Sequence, residues 1–334
     1  MNPVALLGLP ALEDELQRLE PLLVESVLTG DPFLDEVTTH LLAAGGKRLR
    51  PTLALASATS GSHPATREDL LGAVAVELVH LASLYHDDVI DEATVRRNVE
   101  SVNARFGNLV AIVAGDFLLA RSAEIAAGLG TEVAQLLAVT LGELCRGQVT
   151  EVHAAFQLAR TRDDYAIAIT GKTASLMATS CRIGALTGGL PRPDVEAVTS
   201  FGRSFGMVFQ IRDDILDVIG TQAALGKPAG QDLAEGVYTL PVLIALDDPV
   251  LGAELRPLLG QPLAPAERDR ARAMVAGSGA IPLAVDVARH YAAEAMAALD
   301  GLSPTSATLV SGLSSLAQSL VEDLPTASAL DTVG

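Results

Sequence analysis

The stretch that decides the fold runs from Thr66 to Asp91 and reads "TREDLLGAVAVELVHLASLYHDDVID". Thr66, followed three residues later by Asp69, is a capping-box-like helix start. Leu70, Leu71, Val74, Leu78 and Leu81 then recur at spacings of three and four, the period of an α-helix with one apolar face. A helix of this length spans about 39 Å at 1.5 Å rise per residue. The same period continues outward on both sides, predicting further helices over 11–28, 31–59, 105–128, 131–157, 162–187, 194–219, 237–246, 266–276, 280–298 and 305–322. Breaks fall at "TGDP", "SGSHP", "GLG", "TGGLPRP", "GKPAG" and "GQPLAP". Alternating strands are scarce and no repeat or linker divides the chain. The expectation is therefore an all-α protein, with residues 1–334 forming a single domain.

The chain has 334 residues, 49% of them apolar, enough for a substantial core. Acidic residues outnumber basic ones 41 to 23, a formal charge of −18, so the broad positive surface that a nucleic-acid partner requires is missing. Cys145 and Cys181 stand far apart without CxxC spacing, which offers neither a disulfide framework nor a zinc site. The opening "MNPVALLGLPALEDELQRLE" lacks the basic region of a signal peptide, so a cytoplasmic protein is expected. Gly301 to Val321 is uncharged but rich in serine and threonine, and reads as an amphipathic helix rather than a membrane anchor. A peripheral membrane contact stays open.

Asp87 and Asp91 end the opening stretch four residues apart, on one helical face, with Asp88 beside them. The pattern returns in "FQIRDDILDVIG", where Asp213 and Asp217 are four apart and Asp214 flanks them. Two unit charges 4 Å apart repel by about 4 kcal/mol at an effective dielectric of about 20, and a bound cation removes that penalty. Hard carboxylate oxygens without an accompanying His or Cys set favour Mg²⁺, which completes its shell with water and substrate phosphate. Paired acidic clusters thus describe a grip on a diphosphate.

Cationic residues occur where such a ligand needs them. In "AAGGKRLRP", residues 43–51, Gly45 and Gly46 permit close backbone approach, and Lys47, Arg48 and Arg50 form a compact positive site; the Walker A order is absent. Arg96 and Arg97 follow the first acidic cluster, Lys172 and Thr173 lie in "TGKTASL", and Lys227 lies in "GKPAGQDL". His80 precedes Asp87 by two helical turns and faces the same way, placed to donate a hydrogen bond to phosphate.

In order and spacing, "GGKRLRP", "HLASLYHDDVID", "VNARFGN", "AGDFLLARS", "GKTASL", "FGRSFGMVFQIRDDILD", "GKPAGQDLAEG" and "TLP" resemble the trans-isoprenyl diphosphate synthases, the polyprenyl synthetase family. The resemblance covers most of the chain. It implies the isoprenoid synthase fold, helices around a deep central cavity, usually as a homodimer. It also implies magnesium-dependent head-to-tail condensation of isopentenyl diphosphate with an allylic diphosphate: the allylic C–O bond ionises, the isopentenyl double bond attacks, and pyrophosphate leaves. On that likeness Asp87, Asp88 and Asp91 form the first metal motif, and Asp213, Asp214 and Asp217 the second. Asp213 is the direct ligand of the latter. Lys47, Arg50, His80 and Arg97 match the isopentenyl diphosphate site; Arg96, Lys172, Thr173, Gln210 and Lys227 match the groups around the allylic diphosphate. Two departures stand out: Val237 replaces a frequent Lys, and Asn98 a frequent Gly.

Ala82 and Ser83, five and four residues before Asp87, are small where short-chain members often carry aromatics, so the resemblance implies a product longer than farnesyl diphosphate. Geranylgeranyl diphosphate remains an alternative product. A class I terpene cyclase has no use for "GGKRLRP", and a noncatalytic subunit of a heteromeric synthase is expected to lose part of the aspartate set, which is complete here.

Overall fold

The computed structural model describes residues 2–221, 229–303 and 306–325. In chain order its elements are α1 (Pro3–Leu7), α2 (Leu12–Val27), α3 (Pro32–Ala43), α4 (Leu49–Thr59), α5 (Arg67–Ile90), β1 (Val95–Arg96), β2 (Val99–Glu100), α6 (Val102–Phe106), α7 (Asn108–Leu129), α8 (Thr131–His153) and α9 (Arg162–Ile169). A π-helical turn, Thr170–Ala174, leads into α10 (Ser175–Thr187), α11 (Arg192–Ile219), α12 (Gln231–Ala234), α13 (Leu240–Asp247), α14 (Pro249–Leu255), α15 (Pro265–Ala276), α16 (Ala280–Ala298), a 3₁₀ turn (Leu299–Gly301) and α17 (Ala307–Glu322). The fold is all-α, and its one antiparallel pair among the described residues, β1–β2, is a two-residue-strand hairpin. No single described helix is long and apolar enough to cross a membrane.

Backbone contacts group the chain into two compact units: Met1–Leu141 with Leu176–Gly202 and Leu299–Leu313, and Gly142–Ser175 with Arg203–Ala298 and Ser314–Gly334. In the first unit α5 is the central rod. Thr66 caps it, accepting from the Asp69 amide at 3.2 Å while the Asp69 carboxylate accepts from the Thr66 amide at 2.9 Å. The single apolar face expected for this helix is too modest. Residues 72–79 are buried without interruption, so α5 is enclosed nearly all round and its small alanines and valines let neighbours close in. Tyr85 is fully buried, and its hydroxyl donates to the Val37 carbonyl at 2.7 Å, tying α5 to α3. On the α7 side, Ser122 donates to the Ala75 carbonyl at 2.7 Å.

The predicted helix over 31–59 is instead two helices. Gly45 at φ +78° and Arg48 at φ +46° leave the helical region, so residues 45–48 form an open connection that delivers the lysine and arginines. Elsewhere in this unit α10 lies directly on α4. A methyl group added at Gly184 would stand 1.9 Å from the Ala54 carbonyl oxygen, and one at Gly188 would stand 2.1 Å from that of Ala58. In the second unit Gly147 of α8 meets the π turn in the same way, since a methyl there would lie 2.6 Å from the Lys172 amide nitrogen. Backbone thus rests on backbone where Lys172 is held.

Because the Gly184 contact is with main chain and has no side chain to yield, Gly184→Ala is expected to destabilise the protein by about 3 kcal/mol. Urea titration should show a lower midpoint with an unchanged slope.

Candidate active site

The first unit carries the first acidic motif at the end of α5 and, around His80 on the same helix, a cluster of cationic residues supplied by α4 and the β1–β2 hairpin. Asp87 is half-buried, and Asp91, just past the end of α5, is exposed and donates its amide to the Asp87 carbonyl at 2.8 Å. Asp88 is turned inward and fully buried. Its Oδ1 accepts from Arg96 Nε at 2.6 Å, and its buried Oδ2 takes no hydrogen bond from any described residue. Burial raises its pKa, against the opposing pull of Arg96. The Asp88 carbonyl also accepts from Asn103 Nδ2 at 2.9 Å, fixing the end of α5 to α6.

Beyond the motif the chain turns through β1 and β2. Arg97 and Asn98 occupy the loop positions at φ +52° and +62°, the two positive values that a type I′ hairpin turn requires. Asn tolerates that region better than most residues, so it serves where the family often has glycine. The turn sends Arg97 back across α3, where its guanidinium donates to the carbonyls of Gly45 and of Leu41, the latter at 3.1 Å.

Lys47 is exposed on the connection before α4, while Arg48 and Arg50 divide the work that the sequence assigned to both. Arg48 is buried and committed to carboxylates: it bonds Glu20 at 2.7 and 3.0 Å and Glu77 at 3.0 Å. Arg50 is half-buried, and packing pulls its pKa down to about 10, with Glu77 acting the other way and Arg97 adding to the fall. Glu77, 1% exposed, is a residue of this cluster that did not stand out in the sequence. Burial raises its pKa, and Arg48, Arg50 and Arg97 pull it back. A lone glutamate inside the apolar run "AVAVELVHLASL", one turn before His80, was the available signal.

His80 sits on this same face. Desolvation, then Arg50, Arg97, Arg48 and Arg96, hold it well below the usual histidine range, so it is neutral. Of the two small residues expected to set product length, Ser83 is half-buried, with its hydroxyl on the His80 carbonyl at 2.8 Å, whereas Ala82 is fully buried.

The second unit holds the other motif on α11. Asp213 is exposed; Asp214 and Asp217 are buried. Asp214 accepts from Tyr165 Oη at 2.5 Å and from Gln210 Nε2 at 2.8 Å, and burial pushes its carboxyl up to about 7. Asp217 accepts from the Asp232 amide at 3.4 Å, and its carbonyl from the Gly230 amide at 2.9 Å. On the π turn, Lys172 pairs with Glu151 at 2.5 Å and Thr173 donates to Gln210 Oε1 at 2.8 Å. Val237 is half-buried, with its amide on the Asp232 carbonyl at 2.8 Å. Lys227 lies outside the described residues. Neither Glu151 nor Tyr165 carried a signal in the sequence, because each acts on a partner distant in the chain.

Residues 31–276 match the pattern of the polyprenyl synthetase family. The chain belongs to that family. Its class of chemistry is prenyl transfer, and the all-α architecture is that of its solved members. Among similar proteins, component 2 of heptaprenyl diphosphate synthase from Geobacillus stearothermophilus is 41% identical over 292 residues, 87% of this chain and 91% of the relative. The crystal structure of a decaprenyl diphosphate synthase from Rhodobacter capsulatus superposes with a TM-score of 0.86 at 33% identity, covering 94% of this chain and 98% of the other. That of a Caulobacter crescentus polyprenyl synthase, complexed with calcium and isoprenyl diphosphate, gives 0.87 at 31% identity, covering 96% and 98%.

The depressed pKa of His80 has a consequence for stability. The folded protein refuses a proton that the unfolded chain accepts below about pH 6.5, so stability declines as pH falls through that value and is level above it. His80→Gln should flatten that decline, as followed by chemical denaturation across the acid range.

Proposed function

We propose that the protein condenses isopentenyl diphosphate head-to-tail with an allylic diphosphate in a Mg²⁺-dependent reaction, making an all-trans polyprenyl diphosphate and releasing pyrophosphate, with residues 1–334 acting as one catalytic domain. The observation that carries this reading is the placement of two kinds of anion chemistry on α5: an acidic end at Asp87 and Asp91, and, two turns earlier, His80 beside Arg50 and Arg97. A metal-type site and a metal-free phosphate site a short distance apart suit one diphosphate of each kind.

The donors present fit Mg²⁺. They are hard carboxylate oxygens, and Asp88 Oδ2 is a buried orphaned acceptor beside them. Among the described residues no three His, Cys, Asp or Glu side chains form a closed metal cage. Mg²⁺ is an ion that takes one or two carboxylates and fills its shell with water and substrate oxygen. Asp87 and Asp91 in the first unit, and Asp213 in the second, would each offer carboxylate oxygen to such an ion, and when bound it supplies positive charge against the departing diphosphate.

Lys172, on the π turn of the second unit, and Arg96, in the first, are each assigned a cationic role toward the allylic diphosphate, favouring its loss as an anion. Arg50, Arg97 and Lys47 hold the isopentenyl diphosphate, and neutral His80 donates a hydrogen bond to it. No protein nucleophile takes part; the released pyrophosphate accepts the final proton. Val237 leaves the leaving-group side one cation poorer than is usual in the family.

Long product length is supported by the heptaprenyl and decaprenyl names of the relatives and by the small side chain of Ser83, half-buried one turn before Asp87 on the same face of α5. A homodimer is supported by Leu109, Ile112 and Val113, apolar and exposed along one face of α7. The Geobacillus relative is named as one component of a synthase, which favours a second reading, a subunit that needs an unlike partner.

The decisive measurement incubates the purified chain with Mg²⁺, labelled isopentenyl diphosphate and farnesyl diphosphate, and resolves products by length. Polyprenyl product from the chain alone is expected; its absence until a partner is added would establish the heteromeric reading. Asp87→Ala and Asp213→Ala should each lower kcat by roughly a thousand-fold. Ser83→Phe should shift the product distribution to shorter chains without loss of the first condensation.

A further inference from the structure

We propose that Tyr165 is a positioning residue which, through Asp214 and Gln210, fixes the direction of the Thr173 hydroxyl and leaves Thr173 an acceptor that meets the substrate diphosphate only through an intervening donor. The inference rests on the reading of the second unit as the allylic-diphosphate half of a prenyltransferase. All four residues lie in that unit.

The argument follows the hydrogens along the chain. Above about pH 7, where Asp214 is ionised and only accepts, its two donors are the Tyr165 hydroxyl on Oδ2 at 2.5 Å and the amide nitrogen of Gln210 on Oδ1 at 2.8 Å. A glutamine amide that turns its nitrogen to Asp214 must turn its oxygen the other way. That oxygen, Oε1, lies 2.8 Å from Thr173 Oγ1, and the threonine hydroxyl donates to it. Threonine has one hydroxyl hydrogen, and here it is used. What remains on Oγ1 is lone pairs. They can receive an N–H or a water O–H, or lie against positive charge, but they cannot donate to a phosphate oxygen. Thr173, expected from the resemblance among the diphosphate-binding groups, therefore reaches a phosphate only through an intervening donor.

Tyr165 is the fixed end of this relay. It is 3% exposed, with the Arg160 guanidinium 5.7 Å from its ring centroid. Arg160 is itself held by the Tyr238 carbonyl at 3.0 Å. The other end sits on the π turn, an irregularity of the kind that helices keep at functional positions.

The test removes one oxygen. Tyr165→Phe deletes the donor and keeps the ring. Calorimetric binding of farnesyl thiolodiphosphate, an allylic analogue that does not ionise, is expected to weaken about tenfold in the presence of Mg²⁺, while KM for isopentenyl diphosphate stays unchanged. Thr173→Val should weaken the analogue similarly, and the double substitution no further than Thr173→Val alone. Equal losses for both substrates, additive losses in the double variant, or unaltered analogue binding would each overturn the proposal.

Should Tyr165→Phe fail to fold, Asp214→Asn probes the relay from its centre. The new amide still accepts from Tyr165 but presents N–H to Gln210, forcing that amide to turn over and reversing Thr173. The same selective loss is expected, with no change in the Mg²⁺ concentration giving half-maximal rate. A raised Mg²⁺ requirement would make Asp214 a metal ligand and overturn the relay. Absence of product from the unaltered protein overturns the functional reading itself, and is seen before any substitution is made.

Discussion

The cationic pocket depends on one buried carboxylate. Arg48, Arg50 and Arg97 converge on α5 in a region so packed that uncompensated charge there would carry a desolvation penalty of several kcal/mol per ion. Glu77, itself almost wholly buried, offsets that charge from the middle of the helix that also bears His80 and Asp87. Glu20 matches Arg48 from α2, so the arginines left facing Glu77 keep a positive excess for an anionic ligand. A single arginine would be easier to bury, but it would leave nothing over once paired. Holding His80 neutral belongs to the same balance: the surrounding guanidinium groups keep a further proton away, and an uncharged imidazole still offers an N–H.

Around this point the backbone departs from regular geometry, and the departures fall on or beside residues that present charge. Arg48, Arg97 and Asn98 all stand at positive φ, which L-residues adopt only when neighbouring contacts hold them there. Arg97 is held by two carbonyls, Arg48 by two carboxylates. In the second unit the π turn does the same for Lys172 and Thr173, and the Gly147 backbone lies directly against that turn. Such strain persists because regular helices surround it, chiefly α5 in one unit and α11 in the other.

This division explains what could be read in the sequence. The span of α5 was legible because capping and periodicity are local: Thr66 and Asp69 sit three residues apart and do what that spacing predicts. The break at 45–48 was not, since the apolar period carries through it and only Gly45 and Gly46 hint at an interruption. Charge was legible as composition and illegible as pairing. Arg48 and Arg50 look alike in "GGKRLRP", and what separates them is Glu20 on α2 and Glu77 on α5, contacts that no local rule contains. Tyr165 and Glu151 were missed for the same reason, because their partners lie 49 and 21 residues away.

The two aspartate motifs show how a written pattern becomes unequal in three dimensions. In each the second aspartate follows the first by one residue, which turns it about 100° around the helix axis. In each it points inward and meets a donor: Arg96 for Asp88, and Tyr165 with Gln210 for Asp214. The fourth-residue partner, which shares the face of the first, remains exposed at Asp91 because α5 has ended, whereas Asp217 is still inside α11 and is covered by the turn at Gly230. The first motif therefore offers two accessible carboxylates and the second only one. Helix length, rather than residue type, sets that asymmetry. Extending α5 past Asp91 would carry Asp91 off the exposed turn, so where the helix stops is as much a part of the site as the aspartates themselves.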